Sequence, residues 1–260
     1  LLDEVQYIIN HSDARVMFCE GQEEVDKALA IQPNCPQLQH VIWDDSKGMR
    51  HYHQPMLTPL TELIKRGAQI DRDQPELFEA LIAPGQGEDV ALLFYTSGTT
   101  SLPKGALLTH WNMLKMGQNL MQVDPYLPSD DFVSFLPFAW IGEQMMSICC
   151  GLQAGFTINF PEEPETVLHD LREIGPQVIF SSARLYEQMA RTLQVKYTDA
   201  SFIKRKMYEW AVGVGEKVAE AKFAHSQVSP LLSAQAKVAD WAVHRTLRDH
   251  LGLSRIKNAY

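Results

Sequence analysis

Apolar positions along this chain alternate between two periods, and the alternation predicts an α/β protein built from strand–helix units. Leu2, Val5 and Tyr7-Ile8-Ile9 predict a helix, and Ala14-Arg-Val-Met-Phe18 predicts the strand after it. Glu23 to Ala30 predicts a second helix and His40-Val-Ile-Trp43 a second strand. From Asp44 to Gly87 turn residues outweigh periodic signal, and only a helix around Thr58 to Arg66 stands out. Val90-Ala-Leu-Leu-Phe-Tyr95 then reads as a short buried strand.

The second half continues the pattern. His110 to Met121 is an amphipathic helix, broken by Pro125 to Asp131. Phe132 to Leu136, Phe156 to Phe160 and Gln177 to Ser181 are nearly continuous apolar strands. Between and after them, Ile141 to Gln153, Glu165 to Ile174 and Ala183 to Leu193 read as helices. Short apolar strands of this kind predict a parallel or mixed sheet covered on both faces. Ile203, Met207, Trp210, Val214, Val218 and Ala221 then mark a long helix, and Leu232 to Leu251 a second one. Gly213 and Gly215 interrupt the first at about 1 kcal/mol each relative to alanine. Arg255 to Tyr260 reads as a final strand.

One loop carries chemistry. The strand ending at Tyr95 opens into Thr96-Ser-Gly-Thr-Thr-Ser101, then Leu102, Pro103, Lys104 and Gly105. Small residues let backbone N–H groups approach an anion, hydroxyls add donors, and Lys104 adds a positive charge. The nucleotide-triphosphatase pattern G-x-x-x-x-G-K-[ST] fails, because Lys104 follows Pro103 and precedes Gly105. The strand is followed by no G-x-G-x-x-G either, so a dinucleotide fingerprint is missing.

Composition narrows the partners. The 260 residues are 45% hydrophobic and 21% charged, ordinary for a globular protein, with a net charge of -9. That charge argues against a broad nucleic-acid surface. Cys19, Cys35, Cys149 and Cys150 lack a paired C-x-x-C spacing and read as buried reduced thiols of a cytoplasmic protein. His51 and His53 have no acidic or cysteine partner at ligand spacing and read as a surface loop. No signal peptide and no apolar run of about 18 residues is seen.

Tyr95-Thr-Ser-Gly-Thr-Thr-Ser-Leu-Pro-Lys-Gly105 resembles the phosphate-loop motif of the adenylate-forming superfamily, with Ser101 where glycine is usual. Gly105 to Leu114 is similar to that family's continuation, with Thr109 placed to cap a helix. Phe135-Leu-Pro-Phe-Ala-Trp-Ile-Gly-Glu143 is similar to its second motif. The paired helices from Ser201 to Leu251 resemble an insertion of the long-chain fatty acid–CoA ligases. The resemblance implies layered α/β sheets of the large N-terminal domain, divided as 1–88, 89–200 and a helical insertion at 201–254. It implies ATP phosphates held by Thr96, Ser97, Gly98, Thr99, Thr100 and Lys104, with Thr96 a candidate Mg²⁺ ligand. Trp140 becomes a candidate gate of the acyl pocket, while Glu143 reads as a residue that starts its helix beside the positive dipole end. Arg184 and Tyr186 read as structural.

The implied reaction joins a fatty acid to ATP as an acyl-adenylate and then to coenzyme A. The resemblance places the adenine and ribose contacts, the acidic Mg²⁺ ligand and a C-terminal lysine beyond Tyr260, so these residues alone are expected to be an inactive fragment. Peripheral contact with a membrane is compatible with a fatty acyl substrate. Two alternatives stand beside this reading. One is an adenylating enzyme for another carboxylate or a carrier protein, the other a non-catalytic binding member of the fold.

Overall fold

The computed structural model describes residues 2–96 and 102–260. Two compact units divide at Asn112 and Met113.

In the first unit, β1 (Val16–Cys19), β2 (His40–Trp43) and β3 (Leu57–Pro59) form a parallel sheet in that order. Val16 faces His40 and Val41 faces Leu57 across it. The helices α1 (Leu2–His11) and α2 (Gln22–Ile31) supply the apolar cover. Val25, Ala28, Ile31, Cys35 and Val41 close the core. Burial of such aliphatic side chains contributes about 1.5–3 kcal/mol apiece.

The stretch before Val90 is more helical than its sequence predicts. Helix α3 (Leu60–Asp73) runs past the expected end at Arg66, and α4 (Leu77–Ile82) follows it. Neither buries a residue fully, although Leu60, Leu63 and Ile64 share one face of α3. Local i,i+4 pairs instead support α3: Arg66 with Glu62, and Gln69 with Asp73 at 2.9 Å.

One expectation about the loop strand is corrected, and a strand unread in the sequence is added. Strand β4 (Val90–Thr96) is half-exposed rather than buried, with Val90 53% exposed. A second strand, β5 (Lys104–Thr109), precedes the helix and pairs antiparallel with β4. Two strands form this sheet, so neither gains the two-sided cover that buries a central parallel strand.

In the second unit, β6 (Asp131–Val133), β7 (Thr157–Asn159), β8 (Val178–Ile179) and β9 (Asn258–Ala259) form a parallel sheet of order β7-β6-β8-β9. All four are shorter than their apolar runs. Phe132, Val133, Val178 and Ile179 are fully buried. Helix α5 (His110–Val123) starts at Thr109, whose hydroxyl accepts the Asn112 N–H at 3.2 Å. Asn112 Oδ1 returns the favour from the Thr109 N–H at 3.0 Å.

Helices α6 (Ile141–Gln144) and α7 (Gly151–Ala154) are joined through a π-turn, Met145–Cys150, into one rod that buries Glu143, Met146, Cys150 and Gly151 and leaves Ile148 and Leu152 exposed. Helix α8 (Val167–Ile174) and α9 (Ala183–Thr198) close the other core cluster around Leu171 and Met189. The Lys257 ammonium donates to buried Asp130, and Arg255 reaches Asp131 at 3.2 Å, tying β9 to β6. Tyr186 Oη donates to the Tyr260 carbonyl at 2.8 Å, the structural role expected of it.

The last helices are continuous despite their glycines. α10 (Phe202–Phe223) packs on α11 (Pro230–Ala239), which passes through a π-turn, Asp240–His244, into α12 (Arg245–His250). Gly215 leaves room for the His244 ring, and a Cβ there would lie 3.4 Å from its Cε1. His244 Nε2–H donates to the Ala211 carbonyl at 3.0 Å. Ala211 and Ala239 are fully buried, so small residues set this close approach. Among the described residues no helix is long and apolar enough to cross a membrane.

Candidate functional site

The hairpin β4–β5 brings the two described members of the expected phosphate grip together. Thr96 and Lys104 are direct cross-strand partners, and Thr96 Oγ1 lies 3.5 Å from the Lys104 carbonyl. Both side chains are exposed at the hairpin mouth. Ser97, Gly98, Thr99 and Thr100 lie outside the described residues. No Asp or Glu occurs in residues 90–109, so no carboxylate on the hairpin opposes an approaching anion. A hydroxyl and an ammonium side by side form a donor pair suited to polyphosphate.

Helix α1 fixes both arms of this hairpin. His11 Nδ1 and Tyr95 Oη share a hydrogen bond of 2.7 Å on the β4 side. Tyr7 Oη donates to the Pro103 carbonyl at 3.0 Å on the β5 side. The Tyr7 and His11 rings stack at 5.3 Å, and Tyr95 meets His11 edge-on at 5.6 Å. Burial, with Tyr7 nearby, holds the Tyr95 phenol above its ordinary pKa, against an opposing hydrogen bond from Ser12. Gly105 lies against Leu93, whose Cδ1 would stand 2.7 Å from a Cβ at that position and would have to turn aside. Sequence reading missed the clamp, although Tyr7 and His11 are spaced i,i+4 on one helix face.

Trp140 lies in the second unit, on the extended residue that precedes α6, and is 48% exposed. Its N–H donates to the Pro137 carbonyl at 2.8 Å, closing the turn of the Leu-Pro-Phe segment. Nearby, Ser134, Phe135, Leu136, Phe138, Phe160 and Val167 help line a pocket of about 280 Å³. Gly142, in the first turn of α6, admits the Phe180 ring where a Cβ would clash at 2.4 Å.

Glu143 differs from its sequence reading. It does stand in the first turn of α6, yet it is 0% exposed. Its Oε1 accepts the Ser134 hydroxyl at 2.5 Å, and its Oε2 has no partner. Burial raises its pKa, with the Ser134 and Leu136 hydrogen bonds opposing the rise. The carboxyl is thus a buried strut between the end of β6 and α6, biased towards its neutral form. The four cysteines are buried and unpaired, and burial pushes the Cys150 thiol up to about 11.

The long-chain-fatty-acid–CoA ligase ACSBG2 of Xenopus laevis is 28% identical over 98% of the chain, which covers 34% of that protein. The ligase ACSBG1 of Rattus norvegicus is 27% identical over 98% of the chain and 35% of its own length. The chain therefore spans about a third of the length of these relatives. Among solved structures, the adenylation domain of a carboxylate reductase from Mycobacterium chelonae covers 100% of this chain at a TM-score of 0.52 and 17% identity. A putative long-chain-fatty-acid CoA ligase from Rhodopseudomonas palustris covers 70% at 0.53 and 14%. At such identities these likenesses establish the fold. The profile of the AMP-binding enzyme family matches residues 2–260, and the chain belongs to that family.

Proposed function

We propose that this chain is the phosphate-gripping part of an ATP-dependent long-chain fatty acid–CoA ligase. The observation that carries the reading is the pairing of Thr96 with Lys104 at the mouth of an acid-free hairpin clamped by Tyr7 and His11. The names of the relatives support the fatty-acid assignment. In this reading a fatty carboxylate attacks the α-phosphate of ATP, releasing pyrophosphate and forming an acyl-adenylate. The thiol of coenzyme A then displaces AMP.

The chain's own contribution is electrostatic. Two anions meet in the first step, so donors placed before the reaction lower its barrier most effectively. Lys104 and the Thr96 hydroxyl face the β- and γ-phosphates, with Ser97, Gly98, Thr99 and Thr100 completing the cradle. A bound Mg²⁺ would neutralise part of that phosphate charge, and the Thr96 hydroxyl would be its ligand, directly or through water. Trp140, exposed beside the Leu-Pro-Phe turn, gates the acyl chain. Residues 89–200 form the phosphate-loop and acyl-pocket region, with 1–88 before it and the helical insertion at 201–254 after it. A cytoplasmic location, with peripheral contact to the membrane that holds the fatty acid, belongs to the same proposal.

Pyrophosphate exchange driven by a fatty acid tests the reading in the intact protein. Lys104→Ala should lower exchange by about 10²–10³-fold, the usual loss for one preorganised donor. Unchanged exchange and ATP affinity would remove Lys104 from the grip. The 260-residue chain tested alone should show no exchange, since it spans about a third of its relatives' length.

A further inference from the structure

A second cavity lies within the helical end of the chain, between α9, α10 and the helix that continues from α11 into α12. Its volume is about 400 Å³, within the range of small-molecule sites, roughly 300–1,000 Å³. Leu193, Met207, Val243 and Leu247 give it an apolar wall. Ala200 and Ala242 leave space where larger side chains would fill it. The π-turn Asp240–His244 supplies both Ala242 and Val243, and such turns often occur at functional positions.

The cavity has one charged sign. Lys196 and Lys204 both line it, and neither has an ion-pair partner among the described residues. Of the carboxylates nearby, Asp199 at the end of α9 does not line the cavity, and Glu209 is committed to Lys206 at 2.8 Å and the Tyr197 hydroxyl at 2.7 Å. Tyr197 and Tyr208 pack together at 5.3 Å and narrow the opening with flat, amphipathic rings. An apolar slot with two uncompensated ammonium groups fits a molecule with an alkyl body and an anionic head. An alkyl chain gains about 0.8 kcal/mol for each buried CH₂, and the lysines favour a carboxylate or sulfate end.

We propose that this cavity is a binding site for a free, single-chain anionic amphiphile of the fatty-carboxylate class. The alkyl chain lies against Leu193, Met207, Val243 and Leu247, and the head group meets Lys196 and Lys204. This goes beyond the ligase reading, and binding here needs no adenylation.

Photo-crosslinking of the intact protein with a dodecanoate bearing a terminal diazirine tests the site. Adducts are expected within residues 193–208 and 242–247. Unlabelled dodecanoate and dodecyl sulfate should suppress them, and dodecyltrimethylammonium should do so about tenfold less well. The double variant Lys196→Gln/Lys204→Gln should weaken dodecanoate about tenfold with an unchanged far-ultraviolet circular dichroism spectrum, about 1.4 kcal/mol. Lys196→Arg/Lys204→Arg should restore binding. Adducts found only outside those residues, equal competition by the cation, or undiminished binding by the Gln variant would each overturn the proposal. Capture on phosphatidylserine vesicles that dodecanoate cannot reverse would overturn it too, by assigning the lysines to a bilayer surface.

Discussion

Strands β4 and β6 come from apolar runs of similar character, yet they end in opposite environments. Val90-Ala-Leu-Leu-Phe-Tyr95 gives a strand with no fully buried residue, paired to one partner. Phe132-Val-Ser-Phe-Leu136 gives only two strand residues, Phe132 and Val133, and Phe132 is 0% exposed between β7 and β8. The hairpin is held by polar contacts at its ends, through Tyr7, His11 and Tyr95. The β6 sheet is held by packing on both faces. The difference teaches that hydrophobic content selects a strand, while the number of neighbours decides what the strand can hold. A half-exposed hairpin can present Thr96 and Lys104 to a ligand, whereas a fully packed strand cannot.

Removing packing from the buried strand should have the largest effect. Phe132→Ala is expected to cost about 3–5 kcal/mol in chemical denaturation. The matched change in the hairpin, Leu107→Ala, acts on a residue 63% exposed and should stay within about 0.5 kcal/mol. Equal costs would erase the contrast between the two sheets.

Glu143 gives the next largest effect. Glu143→Ala leaves the Ser134 hydroxyl buried without its acceptor and should cost about 1–3 kcal/mol. The carboxyl's folded pKa lies above the ordinary 4.5, so the native state binds that proton more tightly than the unfolded chain. Its contribution is therefore full below 4.5 and declines as pH rises through the folded pKa. Glu143→Gln should flatten that decline in a pH series of unfolding midpoints. A decline of the same slope in the Gln variant would assign it to other groups.

The smallest effect is expected at the hairpin clamp. Tyr7→Phe removes the hydrogen bond to the Pro103 carbonyl and should cost about 0.5–1.5 kcal/mol. Its signature is local: amide exchange should quicken in β5 while Phe132 and its neighbours stay protected. Faster exchange across the β6 sheet would mean that the clamp supports more than the hairpin.

Much of the fold was legible in the chain. The 3.6 and 2.0 periods located α1, α2, β2, α5 and the long helices of the C-terminal third, because those elements each bury one consistent face. Thr109 announced the start of α5 as a capping residue, and the structure adds the reciprocal bond with Asn112. The phosphate-loop string and its lysine stood out for the same reason, since anion binding there draws on consecutive residues. What stayed hidden was whatever depends on distant partners. β5 merged into a helix start in sequence, because its pairing with β4 is decided across the loop. α3 runs on past Arg66, and α4 follows it, with no residue fully buried, so no core contact marked where they end.

The sequence by itself determined the alternation of strands and helices, the loop chemistry and the family likeness, since each is written in neighbouring residues. Only the tertiary structure decided that Glu143 is a buried strut, that Tyr7 and His11 brace the hairpin, and that two lysines face an apolar cavity. Those outcomes join residues far apart in the chain, and burial and charge pairing act through space.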